Sequence, residues 1–259
     1  MIPAALYPVF PWLAGFLGLI FGSFYTVCVH RYLKGQSIVR PGSHCPKCLN
    51  PLRWWENLPV LSFVILAGRC GHCRAPIPWR YPALELLSAL WAVLLAWRFG
   101  PGLAWLLLMA VGGVYLVAAF IDLEIFILPD ALTYPGAVLG LAAGVLALHQ
   151  PVLDCLIGAL VGAGLFWLLR LAYFKAKGVE GLGLGDVKLM LMIGAMSGWL
   201  GLPVTILLGA LSALVISPVY MLASGQGTKA RIPFGPFLCL GSMISILWGP
   251  YFLRLLAGL

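Results

Sequence analysis

Eight carboxylates serve a chain of 259 residues, and their positions give the first indication of chemistry. Glu56 lies in a polar stretch, Glu85 follows "RYPAL", and Asp154 opens an apolar run. The other five crowd into two short segments: Asp122, Glu124 and Asp130 in "IDLEIFILPD", and Glu180 and Asp186 in "EGLGLGDVKLM". Each segment borders a long apolar run. An ionisable group at membrane depth is costly, and one found there usually serves function. Two carboxylates brought close in a poorly solvated place cannot both ionise comfortably, so one keeps its proton while the other can activate water. Asp122 and Asp186 are the expected pair, an acid and a base suited to hydrolysis. Gly183 and Gly185 remove side chains beside Asp186, which permits a tight turn and the close approach of another backbone. Plainer roles stay open for the same residues. Asp186 can cap the helix that it opens, and Asp130, after Pro129, is an N-cap candidate. Lys188 can snorkel to the membrane surface, and the glycines can serve helix packing.

A second constellation is built of sulfur. Cys45 and Cys48 in "HCPKC" and Cys70 and Cys73 in "RCGHC" form two C-x2-C knuckles. At this spacing four thiolates converge tetrahedrally on zinc. Two disulfides are the competing arrangement, and a reducing compartment argues against them. Four cysteines close the coordination shell, so the expected zinc is structural, with His44 and His72 outside it. Cys28, Cys155 and Cys239 lie within apolar runs and read as small buried side chains.

The elements that must carry these groups are apolar. Hydrophobic residues make up 62% of the chain and charged residues 9%, with mean hydropathy +1.02, so most of the chain is solvated by lipid. Spans of about 20 residues are expected near 9–29, 82–98, 102–121, 131–148, 152–173, 187–199, 201–222 and 234–257. The sixth and seventh are separated by Gly198, Gly201 and Pro203. The first reads as a retained span, because no basic residue precedes it and it is too long for a signal-peptide core. The expected fold is an all-α polytopic membrane protein of about eight helices. It divides into a first span at 1–29, a zinc-binding loop domain at 30–80 and a transmembrane catalytic domain at 81–259. If the segment after the first span is cytoplasmic, every Lys and Arg except Arg98 and Arg254 falls on the inner side, and both termini lie outside the cytoplasm. The +8 net charge is then a topology signal. No basic helix or aromatic-interleaved patch accompanies it, so nucleic acid is not an expected partner. The bilayer is. The basic face of the loop could also meet anionic lipid.

In combination, several stretches resemble one family over nearly the whole chain. They are "GSFYTVCVHR" at 22–31, the two cysteine knuckles, "ENLPVLSF" at 56–63 and "GRCGHCRAPIPWRYPALELL" at 68–87, followed by "IDLEIFILPD" at 121–130, "EGLGLGDVKLM" at 180–190 and "IPFGPFLCLG" at 232–241. The chain resembles the type IV prepilin peptidases, membrane aspartic proteases of the G-x-G-D type. The resemblance implies that Asp122 and Asp186 are the catalytic pair, and it favours Asp122 over Asp130. It implies a bacterial inner-membrane enzyme that cuts the short basic leader of prepilins or pseudopilins after a glycine, on the cytoplasmic side. It further implies methylation of the new N-terminus with S-adenosylmethionine. The residues themselves carry no glycine-rich nucleotide fingerprint, so that second activity rests on the resemblance. Because the leaders are basic and the large loop is also basic, Glu124, Asp130 and Glu180 are expected to form an acidic rim that draws the leader in. Two other classes compete with this reading: an ion-coupled transporter using the inner-face carboxylates, and a non-enzymatic zinc-anchored scaffold of a secretion system.

Overall fold

A computed structural model describes residues 8–179, 181–224 and 232–257. Its regular elements are helical: α1 Phe10–Leu33, α2 Leu61–Ile65, α3 Arg80–Phe99, α4 Leu103–Ile125, α5 Asp130–Leu146, α6 Val152–Lys177, α7 Leu184–Ser224 and α8 Gly235–Ala257. A 3-10 turn at Trp54–Asn57 precedes α2. Among the described residues the extended pairing is limited to two isolated bridges, His44 with Pro51 and Arg69 with Pro76. The chain forms two compact units, Met1–Trp105 and Leu106–Leu259.

Among the described residues six helices are long and apolar enough to cross a membrane, and α5 is a shorter apolar helix. This is the all-helical, multi-pass architecture that the composition implies. Where eight spans were expected, the structure differs at the fourth. The segment expected at 131–148 forms a helix of 17 residues. The segments expected at 187–199 and 201–222 are two helical stretches within Leu184–Ser224 that meet, as expected, at a break on Gly198 (φ 65°, ψ 171°). That backbone conformation is closed to most side chains, so the break falls on the glycine. The expected inner-side residues Lys229 and Arg231 lie outside the described residues.

In the first unit α1 packs on α3 with almost no side chain between them. A Cβ at Gly22 would stand 2.6 Å from the Cα of Glu85, so the two backbones touch and only glycine fits. In the second unit α7 is the central element, packing against α5, α6 and α8. Its face from Leu189 to Met196 is almost fully buried. The buried hydroxyl of Tyr115 on α4 meets Ser242 of α8 at 3.0 Å, which fixes those two helices in register.

Candidate active site

Asp122 lies one turn before the end of α4 and Asp186 lies in the first turn of α7; they are 5% and 9% exposed. The charge of Asp122 acts on Asp186, so the two carboxyl groups lie close enough to interact. Each receives a backbone amide from the start of a helix. The N–H of Gly235, the first residue of α8, donates to Asp122. The N–H of Gly183, just before α7, donates to Asp186. These amides have no partner within their own helices, and the positive end of the helix dipole adds to their pull on an anion. Asp186 reaching back to Gly183 is also half of a capping box. Its capping role and its place in the pair are therefore one geometry.

Leu128 closes the site. A Cβ at Gly185 would come within 2.8 Å of the Leu128 Cβ, and a Cβ at Gly235 within 3.2 Å of its Cδ1. A Cβ at Gly235 would also come within 2.5 Å of Asp122 Oδ2. The two glycines thus admit a leucine wedge and a carboxylate that any side chain would displace. Gly183 meets no such demand, since a Cβ there would rest 3.6 Å from Asp186 Oδ2 in ordinary contact. Its contribution is the amide.

Asp130 differs from the N-cap expectation. The N-cap of α5 is Pro129, and the carboxylate of Asp130, exposed in the first turn, takes Lys188 Nζ at 2.5 Å. Lys188 also stands 5.5 Å over the ring of Tyr134, so it is held by a carboxylate and a π face. Glu124 is exposed in the last turn of α4. Glu180 lies outside the described residues. Sequence reasoning assigned no role to Gly235 or Leu128, and it set Cys239 aside as filler. Cys239 is indeed buried, and the charges of both Asp122 and Asp186 reach it. The "FGP" at 234–236 was the available signal for Gly235, a glycine opening a helix just ahead of a proline.

The cysteines of the first unit form a separate centre. The ligand atoms of Cys45, Cys48, Cys70 and Cys73 all lie within 4.8 Å of one another. The Sγ atoms of Cys45 and Cys73 are 3.8 Å apart and no disulfide joins any of the four. Thiolates bound at about 2.3 Å to a tetrahedral zinc would stand about 3.8 Å apart, so the cluster fits a metal and not a pair of disulfides. The two knuckles share one turn. Cys45 N–H donates to Asn50 and Cys70 N–H to Ala75, while Leu49 and Arg74, each following the second cysteine, take φ of 59° and 56°. Burial alone would push the Cys45 thiol up; the amides of Cys48 and Lys47 aimed at its sulfur outweigh this and bring it down to about 7. His44 turns to the carbonyl of Gly42, and His72 stands 3.8 Å from Glu56, so both imidazoles remain outside the sulfur cluster. Glu85 accepts the N–H of Val60 at 2.8 Å.

Fold and site together define a polytopic membrane protein with a buried carboxylate pair and a four-cysteine loop. Residues 16–99 match the Bacterial Peptidase A24 N-terminal domain, and residues 103–217 match the Type IV leader peptidase family. A protein of Pseudomonas putida named prepilin leader peptidase/N-methyltransferase is 34% identical over 259 residues, covering 92% of this chain and 90% of its own. A relative of the same name from Pseudomonas aeruginosa is 36% identical over 266 residues, with the same coverage. Another from Aeromonas hydrophila is 38% identical over 213 residues, covering 82% of this chain and 73% of its own. No solved structure matches. The chain belongs to the type IV leader peptidase family.

Proposed function

We propose that this protein is a membrane aspartic endopeptidase that removes the short basic leader of prepilins or pseudopilins and then methylates the new N-terminus. The observation that carries the reading is the buried pair Asp122 and Asp186, each held by a helix-start amide. One carboxylate takes a proton from water as the water attacks the carbonyl carbon of the scissile bond. The other gives its proton to the carbonyl oxygen, and the tetrahedral intermediate then collapses with a proton passed to the leaving amine. The amides of Gly235 and Gly183 hold the carboxylates in place throughout. Burial keeps other water away.

Glu124 and Glu180 supply the negative rim that attracts a basic leader. Asp130 stands at the same rim with its charge compensated by Lys188. The four cysteines hold a structural zinc that orders residues 30–80, and residues 81–259 carry the peptidase. The protein resides in the bacterial inner membrane with its loop in the cytoplasm and both termini outside. The transporter and scaffold alternatives find no support in the family match or in the site. Incubating the detergent-purified protein with a purified prepilin tests the reading. The expected result is a shortened product that begins one residue after the leader's glycine, and an intact substrate would defeat it.

A further inference from the structure

Within the first unit lies a cavity of about 160 Å³, away from the Asp122 and Asp186 pair in sequence and bordered by α1, α3 and the knuckles. It has room for on the order of ten waters, the scale of a small organic ligand. Its lining is unusual in charge. Arg31, 5% exposed, reaches it from α1, and Glu85, 8% exposed, reaches it from α3. Glu56, whose side chain is 7% exposed, reaches it from the 3-10 turn. A buried charge normally meets a partner of opposite sign. Here, among the described residues, the Arg31 guanidinium is held by the carbonyls of Ser37, Pro41 and Gly42, which take three of its five donors. The Glu85 carboxylate accepts the Val60 amide at 2.8 Å. Glu56 takes the Arg53 amide at 2.8 Å, with the His72 imidazole at 3.8 Å. One cavity therefore carries a buried cation and two buried anions that do not pair with each other.

We propose that this cavity binds the zwitterionic amino-acid end of the methyl donor S-adenosylmethionine. The donor's carboxylate would face Arg31, and its ammonium and sulfonium would face Glu85 and Glu56. The assignment rests on the methyltransferase half of the proposed function and gives it a site. The charge pattern fits: the ligand brings one anionic and two cationic centres, the complement of the lining. When bound, the donor supplies an electrophilic methyl group. The peptide's free amine forms the new C–N bond as the S–CH₃ bond breaks with its electron pair left on sulfur, and the amine's proton goes to water. The ring pair His30 Nδ1 and Tyr81 hydroxyl, 3.0 Å apart at the cavity wall, fixes the orientation of α1 against α3 there.

Equilibrium binding of S-adenosylmethionine and of S-adenosylhomocysteine to the detergent-purified full-length protein tests the assignment. Glu85→Gln keeps an acceptor for Val60 and removes only the charge. It should weaken S-adenosylmethionine about tenfold or more, and should weaken the neutral thioether less, because the sulfonium is the charge that distinguishes them. Glu56→Gln provides a second, independent variant, and size-exclusion elution reports whether each is folded. If folded variants bind S-adenosylmethionine as the wild type does, or lose both ligands equally, the cavity is not the donor site. If the wild type itself neither binds the donor nor methylates, the methyltransferase reading falls, and this assignment falls with it. Wild-type methylation together with variant-insensitive binding overturns this assignment alone.

Discussion

In the first unit the clustered cysteines are neighbours along the chain. Cys45 with Cys48, and Cys70 with Cys73, are positioned by turns a few residues long, each closed by its own backbone hydrogen bonds. In the second unit the carboxylates come from α4 and α7, and their supporting amide and leucine wedge come from α8 and the α4–α5 connection. The first centre is a local device that metal can assemble, since binding energy can become folding energy in a small loop. The second is a long-range device. It exists only when α4, α7 and α8 are packed, and backbone contact rather than side-chain chemistry sets its precision.

Changes to the second centre should therefore act on rate without loss of fold. Asp122→Asn or Asp186→Asn is nearly isosteric but cannot pass a proton. Cleavage should drop by about 10²–10⁴-fold or more while the protein stays inserted and elutes as the wild type. A single Asn variant with near-normal cleavage would remove that residue from the pair, and Asp130 would then be tested next.

Gly235→Ala comes next in size. Its methyl would stand 2.5 Å from Asp122 Oδ2, so the carboxylate must move. A misplacement of this order costs about 10–100-fold in kcat with KM little changed. Gly183→Ala, which meets only ordinary contact, should be close to neutral. Equal defects in the two variants, measured by single-turnover cleavage, would mean that loss of helix-start flexibility matters and the steric contact does not.

The local centre should respond in the opposite way. Replacing any of Cys45, Cys48, Cys70 or Cys73 with Ser leaves an incomplete tetrahedral site. Metal analysis should show one zinc in the wild type and none in the variant, with faster amide exchange across residues 41–77. Methylation should fall more than cleavage, because the carboxylate pair lies in the other unit. Absence of zinc from the purified wild type would remove the structural-metal reading.

The smallest effect belongs to the exposed rim. Glu124→Gln should raise KM about 2–5-fold at low salt, shrinking as salt rises and screening shortens to roughly 10 Å at 0.1 M. Asp130→Asn should change capture little, since Lys188 already compensates that charge. A drop in kcat alone, independent of salt, would point to a structural role for Glu124.

The sequence by itself determined whatever depends on composition or short spacing. Membrane residence follows from a hydropathy that no soluble core requires. The knuckles follow from C-x2-C, because a turn of four residues leaves little freedom in where two thiols point. The break at Gly198 follows from a glycine beside a proline-containing run. The pairing of Asp122 with Asp186 was legible as a concentration of acids at two apolar edges, and the family resemblance then chose Asp122 over Asp130. Tertiary structure decided the rest. Only the packing of α8 shows that Gly235 gives its amide to Asp122. Only the approach of the α4–α5 connection to α7 shows that Asp130 serves Lys188 and that Leu128 needs Gly185. The meeting of Arg31, Glu85 and Glu56 in the lining of one cavity is of the same kind. None of these has a periodicity or a local spacing, because each is a contact between backbones or charges far apart in the chain, and such contacts exist only once the helices have chosen their neighbours.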